Sequence, residues 1–106
     1  MPFVLTIDQR GSGRTADLVD GAISRLAHLP TRLPFERTAG DEFQGLLDDP
    51  VSVLDAMLHL VRDGDWHIGV GAGPVATPLP ASTRAARGPA FELARAAVEA
   101  AKRRPQ

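Results

Sequence analysis

Near the middle of the chain, Gly40-Asp41 separates two strand-like segments, and this short turn constrains everything around it. Before it, Leu33, Phe35 and Ala39 alternate with Pro34, Glu36 and Thr38. After it, Glu42 to Leu47 reads as the returning strand, so the two form a β-hairpin with Gly40 and Asp41 at its tip. On either side of the hairpin stand further strand and helix signals, with no internal repeat. Upstream, Phe3 to Ile7 is an apolar, β-favouring run that stops at Asp8. A helix follows, with Thr15 as its cap, Asp17 at the positive end of the dipole, and Leu18, Ala22, Ile23, Leu26 and Leu29 on one face. Downstream, Asp49-Pro50 is a strong helix start, Leu54, Met57, Leu58 and Val61 share a face, and Gly64 is a C-cap. Trp66, Ile68, Val70 and Ala72 then alternate with His67, Gly69, Gly71 and Gly73. That strand has one nearly smooth face, on which another backbone can approach closely.

Residues 77 to 87 hold two prolines and no periodicity, and are expected to be the least ordered internal loop. Pro89 opens a last helix with a stripe of Phe91, Ala94, Val98 and Ala101, in which Glu99 supports Arg103. The order β-α-β-β-α-β followed by a helix predicts an α+β fold: a ferredoxin-like or palm βαββαβ antiparallel sheet with two crossover helices on one face and an added C-terminal helix. One domain over residues 1–102 is expected, with 103–106 as a frayed tail.

Charge and composition narrow the function classes. The 106 residues carry 12 basic and 13 acidic side chains, a formal net charge of −1 that argues against nucleic-acid binding by bulk charge. The absence of cysteine removes disulfides, thiolate metal sites and cysteine nucleophiles. No apolar run approaches the roughly 20 residues that span a bilayer. The N-terminus lacks the basic start and cleavage region of a signal peptide. A soluble, cytoplasmic protein with no membrane partner is the expectation.

In the predicted topology the end of the first strand lies beside the hairpin tip, which brings Asp8 near Asp41, with Glu42 next in sequence. Closely spaced carboxylates repel unless one is protonated or a cation intervenes, and Mg²⁺ or Mn²⁺ suits such an oxygen-rich corner. The segment Gln9, Arg10, Gly11, Ser12, Gly13, Arg14 between strand and helix offers backbone N–H groups and two guanidinia, a cradle for the phosphates of a nucleotide. Beside this stands a purely structural reading, in which Asp8 caps a loop and Asp41 serves the turn. The three scattered histidines, His28, His59 and His67, lack ligand spacing. His28 reads as a helix-dipole partner, and His59 as a surface pair with Asp55. Trp66 reads as a core anchor.

Three motifs add a resemblance. Gly40-Asp41-Glu42-Phe43-Gln44-Gly45-Leu46-Leu47 resembles the Gly-Asp-Glu-Phe-Gln-Gly-Leu-Leu motif of SatD-family proteins. His67-Ile68-Gly69-Val70-Gly71-Ala72-Gly73 is similar to their Arg-Ile-Gly-Ile-Gly-x-Gly strand. Gly88-Pro89-Ala90-Phe91-Glu92-Leu93-Ala94-Arg95 is similar to their Gly-Pro-Ala-Phe-x-x-Ala-Arg helix start. Members of that family continue into a C-terminal helix-turn-helix-like region, so the resemblance implies a short form here. The family is in turn similar to the palm core of class III nucleotidyl cyclases and to diguanylate cyclases, with their Gly-Gly-Asp-Glu-Phe hairpin.

The resemblance implies that Asp8, Asp41 and, in the diguanylate version, Glu42 hold divalent metal. The catalytic asparagine and arginine of class III cyclases fall at Glu92 and Ala96, with Arg95 one residue out of step, so the transition-state residues are not retained. A carboxylate at Glu92 repels a triphosphate. The first-strand motif Ile7-Asp8-Gln9-Arg10-Gly11-Ser12-Gly13-Arg14 also departs from the family's Gly-Asp-Ile-x-x-Ser-Arg. The expectation is a minimal palm-type domain that binds a divalent metal and a nucleotide without efficient catalysis. The alternative is a degenerate palm used as a regulatory, protein-interaction or dimerisation module. The smooth glycine strand and the two-subunit sites of palm cyclases suggest a homodimer.

Overall fold

The computed structural model describes residues 1–11 and 16–104. Its elements are β1 (Phe3–Gln9), α1 (Val19–Leu26), β2 (Leu33–Ala39), β3 (Glu42–Leu47), α2 (Pro50–Asp63), β4 (Trp66–Ala72), a short 3₁₀ turn (Thr83–Ala85) and α3 (Pro89–Arg103). The strands form one sheet in the order β2-β3-β1-β4, with every neighbouring pair antiparallel. This α+β arrangement is compatible with a ferredoxin-like fold. Gly40, with φ of 53°, makes the sharp turn of the hairpin, and Ala39 pairs with Glu42 across it.

Alternation along β1 splits the interior into two cores. Leu5 and Ile7 face α1 and α2 and pack with Phe43, Leu47, Val19, Leu26, Val53, Leu60 and Trp66. Val4 faces the other way and packs with Leu33, Leu46, Ala90, Phe91 and Ala94 beneath α3. Helices therefore cover both faces of the sheet, the crossover helices on one and α3 on the other. Trp66 anchors the first core, edge-on to Phe43 at a centroid distance of 5.5 Å, and donates its indole N–H to Asp63.

The glycine face of β4 explains how α3 docks. A Cβ built on Gly69 would lie 2.4 Å from the Ala94 carbonyl oxygen, and one on Gly71 would lie 2.2 Å from that of Ala90. A two-residue step along a strand, about 6.7 Å, nearly matches a four-residue step along a helix, about 6 Å. The ridge Ala90-Ala94-Val98 consequently runs along the Gly69-Gly71 groove. The close backbone approach expected from the glycines is thus made by the chain's own α3, which removes the glycine face as an argument for a homodimer.

Several local expectations are corrected. β1 continues through Asp8 to Gln9 rather than stopping at Asp8, because Asp8 pairs with Glu42 and His67, and Gln9 with Trp66. α1 starts at Val19, later than a cap at Thr15 would give; Thr15 lies outside the described residues. Leu18 is exposed, and Val19 takes its place in the core. Asp49 caps α2 with its side chain, and Gly64 closes it in the left-handed conformation, both as expected. However, α2 buries Ser52, Val53, Ala56 and Leu60, while Leu54, Leu58 and Val61, together with Val51, are exposed. The helix is apolar on two opposite faces, and the sheet takes the one with the smaller side chains.

Residues 77–87 are not loose. Thr83 is fully buried and donates its hydroxyl to the Pro34 carbonyl, the Arg84 N–H bonds Glu36 Oε1 at 3.0 Å, and the Ala76 N–H bonds the Arg87 carbonyl at 2.8 Å. In α3, Glu99 pairs with Lys102 at 3.5 Å rather than with Arg103. α3 runs through Arg103, and residues 105–106 of the expected tail lie outside the described residues. No helix among the described residues is long and apolar enough to cross a membrane.

Candidate functional site

The side chains of Asp8, Glu42, Gln44 and Thr6 form a buried polar band across the sheet face that α3 covers. Alternation dictates this. Asp8 and Thr6 share the face of Val4 on β1, and their partners across the ladder are Glu42 and Gln44 on β3. Gln44 donates to the Thr6 hydroxyl at 2.9 Å, which satisfies the inner half of the band with neutral groups. The outer half is ionic. Lys102 on α3 places its Nζ 2.8 Å from Asp8 Oδ2, and Arg95, two turns earlier, places Nη2 3.1 Å from Glu42 Oε2. The Thr38 hydroxyl also donates to Glu42.

Asp41 at the hairpin tip is brought to Asp8 as expected: its carboxyl is close enough to act on that of Asp8, and the Gln9 N–H bonds the Asp41 carbonyl at 3.3 Å. Burial pushes the Asp8 carboxyl above its ordinary range, the Lys102 ammonium pulls it back, and Asp41 pushes it up again. Its contact with Asp8 raises Lys102 above 10.5 in return. Glu42 does not join the two aspartates as a third ligand, because its side chain is turned to Thr38 and Arg95. Among the described residues no group of three or more His, Cys, Asp or Glu side chains is placed to hold a metal ion.

His67 lies next to Asp8 across the β1–β4 ladder, with a buried Nδ1 that has no hydrogen-bond partner among the described residues. Burial lowers its pKa below the ordinary histidine value, and the nearby Arg10 guanidinium lowers it further, both favouring the neutral ring. Its spacing offered no sign of this; only the sheet register places it beside the carboxylates.

The residues proposed for a phosphate cradle are engaged otherwise where they are described. The Gln9 amide donates to the Ala16 carbonyl at 2.8 Å and accepts from the Leu18 N–H at 2.9 Å, so it organises the entry to α1. Arg10 turns towards β4: its N–H bonds the Asp65 carbonyl at 2.8 Å and its Nε the Trp66 carbonyl at 3.3 Å. Gly11 adopts φ of 65°, and Ser12, Gly13 and Arg14 lie outside the described residues. Of the other histidines, His28 bonds the Arg25 carbonyl near the end of α1, as the dipole reading expects. His59 accepts from Arg25 instead of pairing with Asp55.

The arrangement brings two carboxyls of the expected metal set together and supplies both Asp8 and Glu42 with an internal cation. Arg95 and Lys102 were not legible as site residues, since only the docking of α3 across the sheet reveals their reach. No protein-family model matches the chain, and no curated protein matches it.

Proposed function

We propose that the chain is a non-catalytic, palm-like association module. The observation that carries this reading is the pairing of Asp8 with Lys102 and Glu42 with Arg95. In a palm-type enzyme such carboxylates need metal to balance their charge and an open sheet face for the nucleotide. Here both are balanced within the fold, and α3 lies across that face. A carboxylate whose charge is already neutralised by an ammonium group at 2.8 Å gains less from a divalent ion than a bare one. Fold alone does not assign chemistry, and the side chains favour structure over turnover.

The surface for association is on α2. Val51, Leu54, Leu58 and Val61 are spaced by three, four and three residues, the a/d rhythm of a helix–helix seam, and each is exposed. The seam is about 15 Å long. A second copy presenting the same stripe buries it symmetrically, which makes a two-fold dimer the expected assembly. Four side chains fall short of the roughly 800 Å² per partner of a standard interface, so the dimer belongs to the weak class. Sedimentation across a concentration series tests this. The wild type should show reversible dimerisation, and Leu58→Glu should remain monomeric with an unchanged melting temperature. A wild type that stays monomeric at high concentration refutes the reading.

Divalent-metal and nucleotide binding at Asp8 and Asp41 is the second reading. It is favoured by the closeness of the two carboxyls, whose repulsion a cation such as Mg²⁺ or Mn²⁺ would relieve by displacing Lys102.

A further inference from the structure

Beyond the carboxylate band, towards the β2–β3 edge, the same sheet face opens into a cleft of about 340 Å³. It is bounded by β2 and β3, by residues 84–88 and by the first turns of α3. Three arginines line it, Arg84, Arg87 and Arg95, with Phe91 at its apolar side. We propose that this cleft binds a compact phosphorylated small molecule, its phosphate held by the guanidinia of Arg84, Arg87 and Arg95.

The convergence of three arginines sets this place apart, since Arg62, Arg103 and Arg104 also lack a carboxylate partner among the described residues but do not line the cleft. Arg25, Arg32 and Arg37 each spend their charge on an aspartate within the fold. Neither the Arg84 nor the Arg87 side chain has a carboxylate partner among the described residues. Arg95 commits one N–H to Glu42 and is half exposed, which leaves further donors of its five for a ligand. Two carboxylates also line the cleft. Glu42 is already occupied by Arg95 and Thr38, which leaves Glu92 in the cleft and Glu36, held on the Arg84 N–H, to oppose an incoming anion.

The guanidinia are carried on fixed backbone. The buried Thr83 ties the 3₁₀ turn to β2, the Arg84 N–H is held by Glu36, and the Arg87 carbonyl is held by Ala76. Gly88 permits the close crossing: with φ of 131°, a Cβ there would stand 2.6 Å from the Ala76 nitrogen. Recognition falls to the side chains, because the Ala90 N–H at the start of α3 is taken by the Pro74 carbonyl at 3.0 Å. Arginine forks match phosphate oxygens two at a time, and several on one cleft favour a dianion over a monoanion. The volume is at the small end for ligand sites, so the organic portion is compact and lies against Phe91.

Amide NMR titration tests the assignment, with inorganic phosphate, AMP, citrate and chloride as probes at matched ionic strength. Phosphate or AMP should produce saturable shifts centred on Gln44, residues 84–88 and Phe91. Arg84→Gln/Arg87→Gln should weaken binding by about tenfold or more per guanidinium removed, the effect of losing one charge-assisted hydrogen bond. Both arginines are exposed and unpaired, so the variant's melting temperature should equal the wild type's. Tighter binding of AMP supports a phosphorylated metabolite, and equal binding supports phosphate itself as the recognised group. Shifts no larger than with chloride, citrate binding tighter than both phosphates, or binding unchanged in the double variant overturns the proposal. None of these outcomes depends on α2, so the cleft and the dimer stand or fall separately.

Discussion

Replacing Gly71 with alanine should lift α3 from the sheet. The added Cβ would stand 2.2 Å from the Ala90 carbonyl oxygen and 2.5 Å from the Ala94 nitrogen, where ordinary contact begins at 3.4 Å. Both opposing atoms are helix backbone, so no rotamer change relieves the clash, and the helix must retreat by roughly 1 Å. That retreat loosens Ala90, Phe91, Ala94 and Val98, the buried residues of α3, and lengthens the Lys102–Asp8 and Arg95–Glu42 pairs. Overpacking of this kind costs about 3 kcal/mol at the upper end of its usual range. The reduced freedom of the unfolded chain returns about 0.5–1 kcal/mol. A net loss of about 2 kcal/mol lowers the melting temperature of a domain this size by roughly 8–16 °C. Gly73→Ala is the control, since its Cβ would meet nothing closer than 3.7 Å and its melting temperature should stay within about 2 °C of the wild type. Thermal melts followed by circular dichroism read both. If Gly71→Ala melts like Gly73→Ala, α3 is not docked on the glycine groove, and the closure of the carboxylate face fails with it.

Leu60→Ala should cost about 2–4 kcal/mol by leaving a cavity in the fully buried core, whereas Leu58→Ala, four-tenths exposed or more, should cost under about 1 kcal/mol in urea unfolding of the monomer. Lys102→Met removes the cation from a buried carboxylate while the lysine itself is 40% exposed, so the loss should be near 1 kcal/mol and the Asp8 carboxyl should titrate higher by NMR. Asp41→Asn keeps a hydrogen-bonding side chain beside Asp8 but removes the like charge, and should stabilise the fold at neutral pH by up to about 1 kcal/mol. The pH dependence has a definite sign. Because the Asp8 carboxyl is raised in the fold, its contribution is fully present below pH 3.8 and is lost as pH rises through its folded value. Asp41→Asn should therefore flatten the acid limb of a stability–pH curve, and an unchanged limb would contradict the assignment.

The parts of the fold that local chemistry decides were legible in the sequence. Gly40-Asp41 dictates a two-residue turn, Asp49-Pro50 and Gly64 dictate the ends of α2, and the alternating glycines of β4 require a backbone neighbour. What escaped prediction depends on which neighbour arrives. Periodicity marks two apolar faces on α2 and does not choose between Leu58 and Leu60; the fit of small residues against the sheet does. Residues 77–87 have no repeat, yet Thr83 pins them through one buried hydroxyl. Of the candidate site, the meeting of Asp8 and Asp41 follows from strand order alone. Its counter-charges, Lys102 and Arg95, come from a helix some 50 residues away in sequence from the hairpin, and nothing in their spacing announces it.

The central claim, that α3 rather than a metal ion balances the carboxylate face, is tested most directly by melting the wild type with and without excess Mn²⁺. A native-state site occupied at ten times its dissociation constant would add about 1.4 kcal/mol, or roughly 6–11 °C in a domain of this size. The closed face predicts no shift in the wild type and none in Asp41→Asn. A rise of that size in the wild type, abolished in Asp41→Asn, would contradict the account and establish the metal-binding reading.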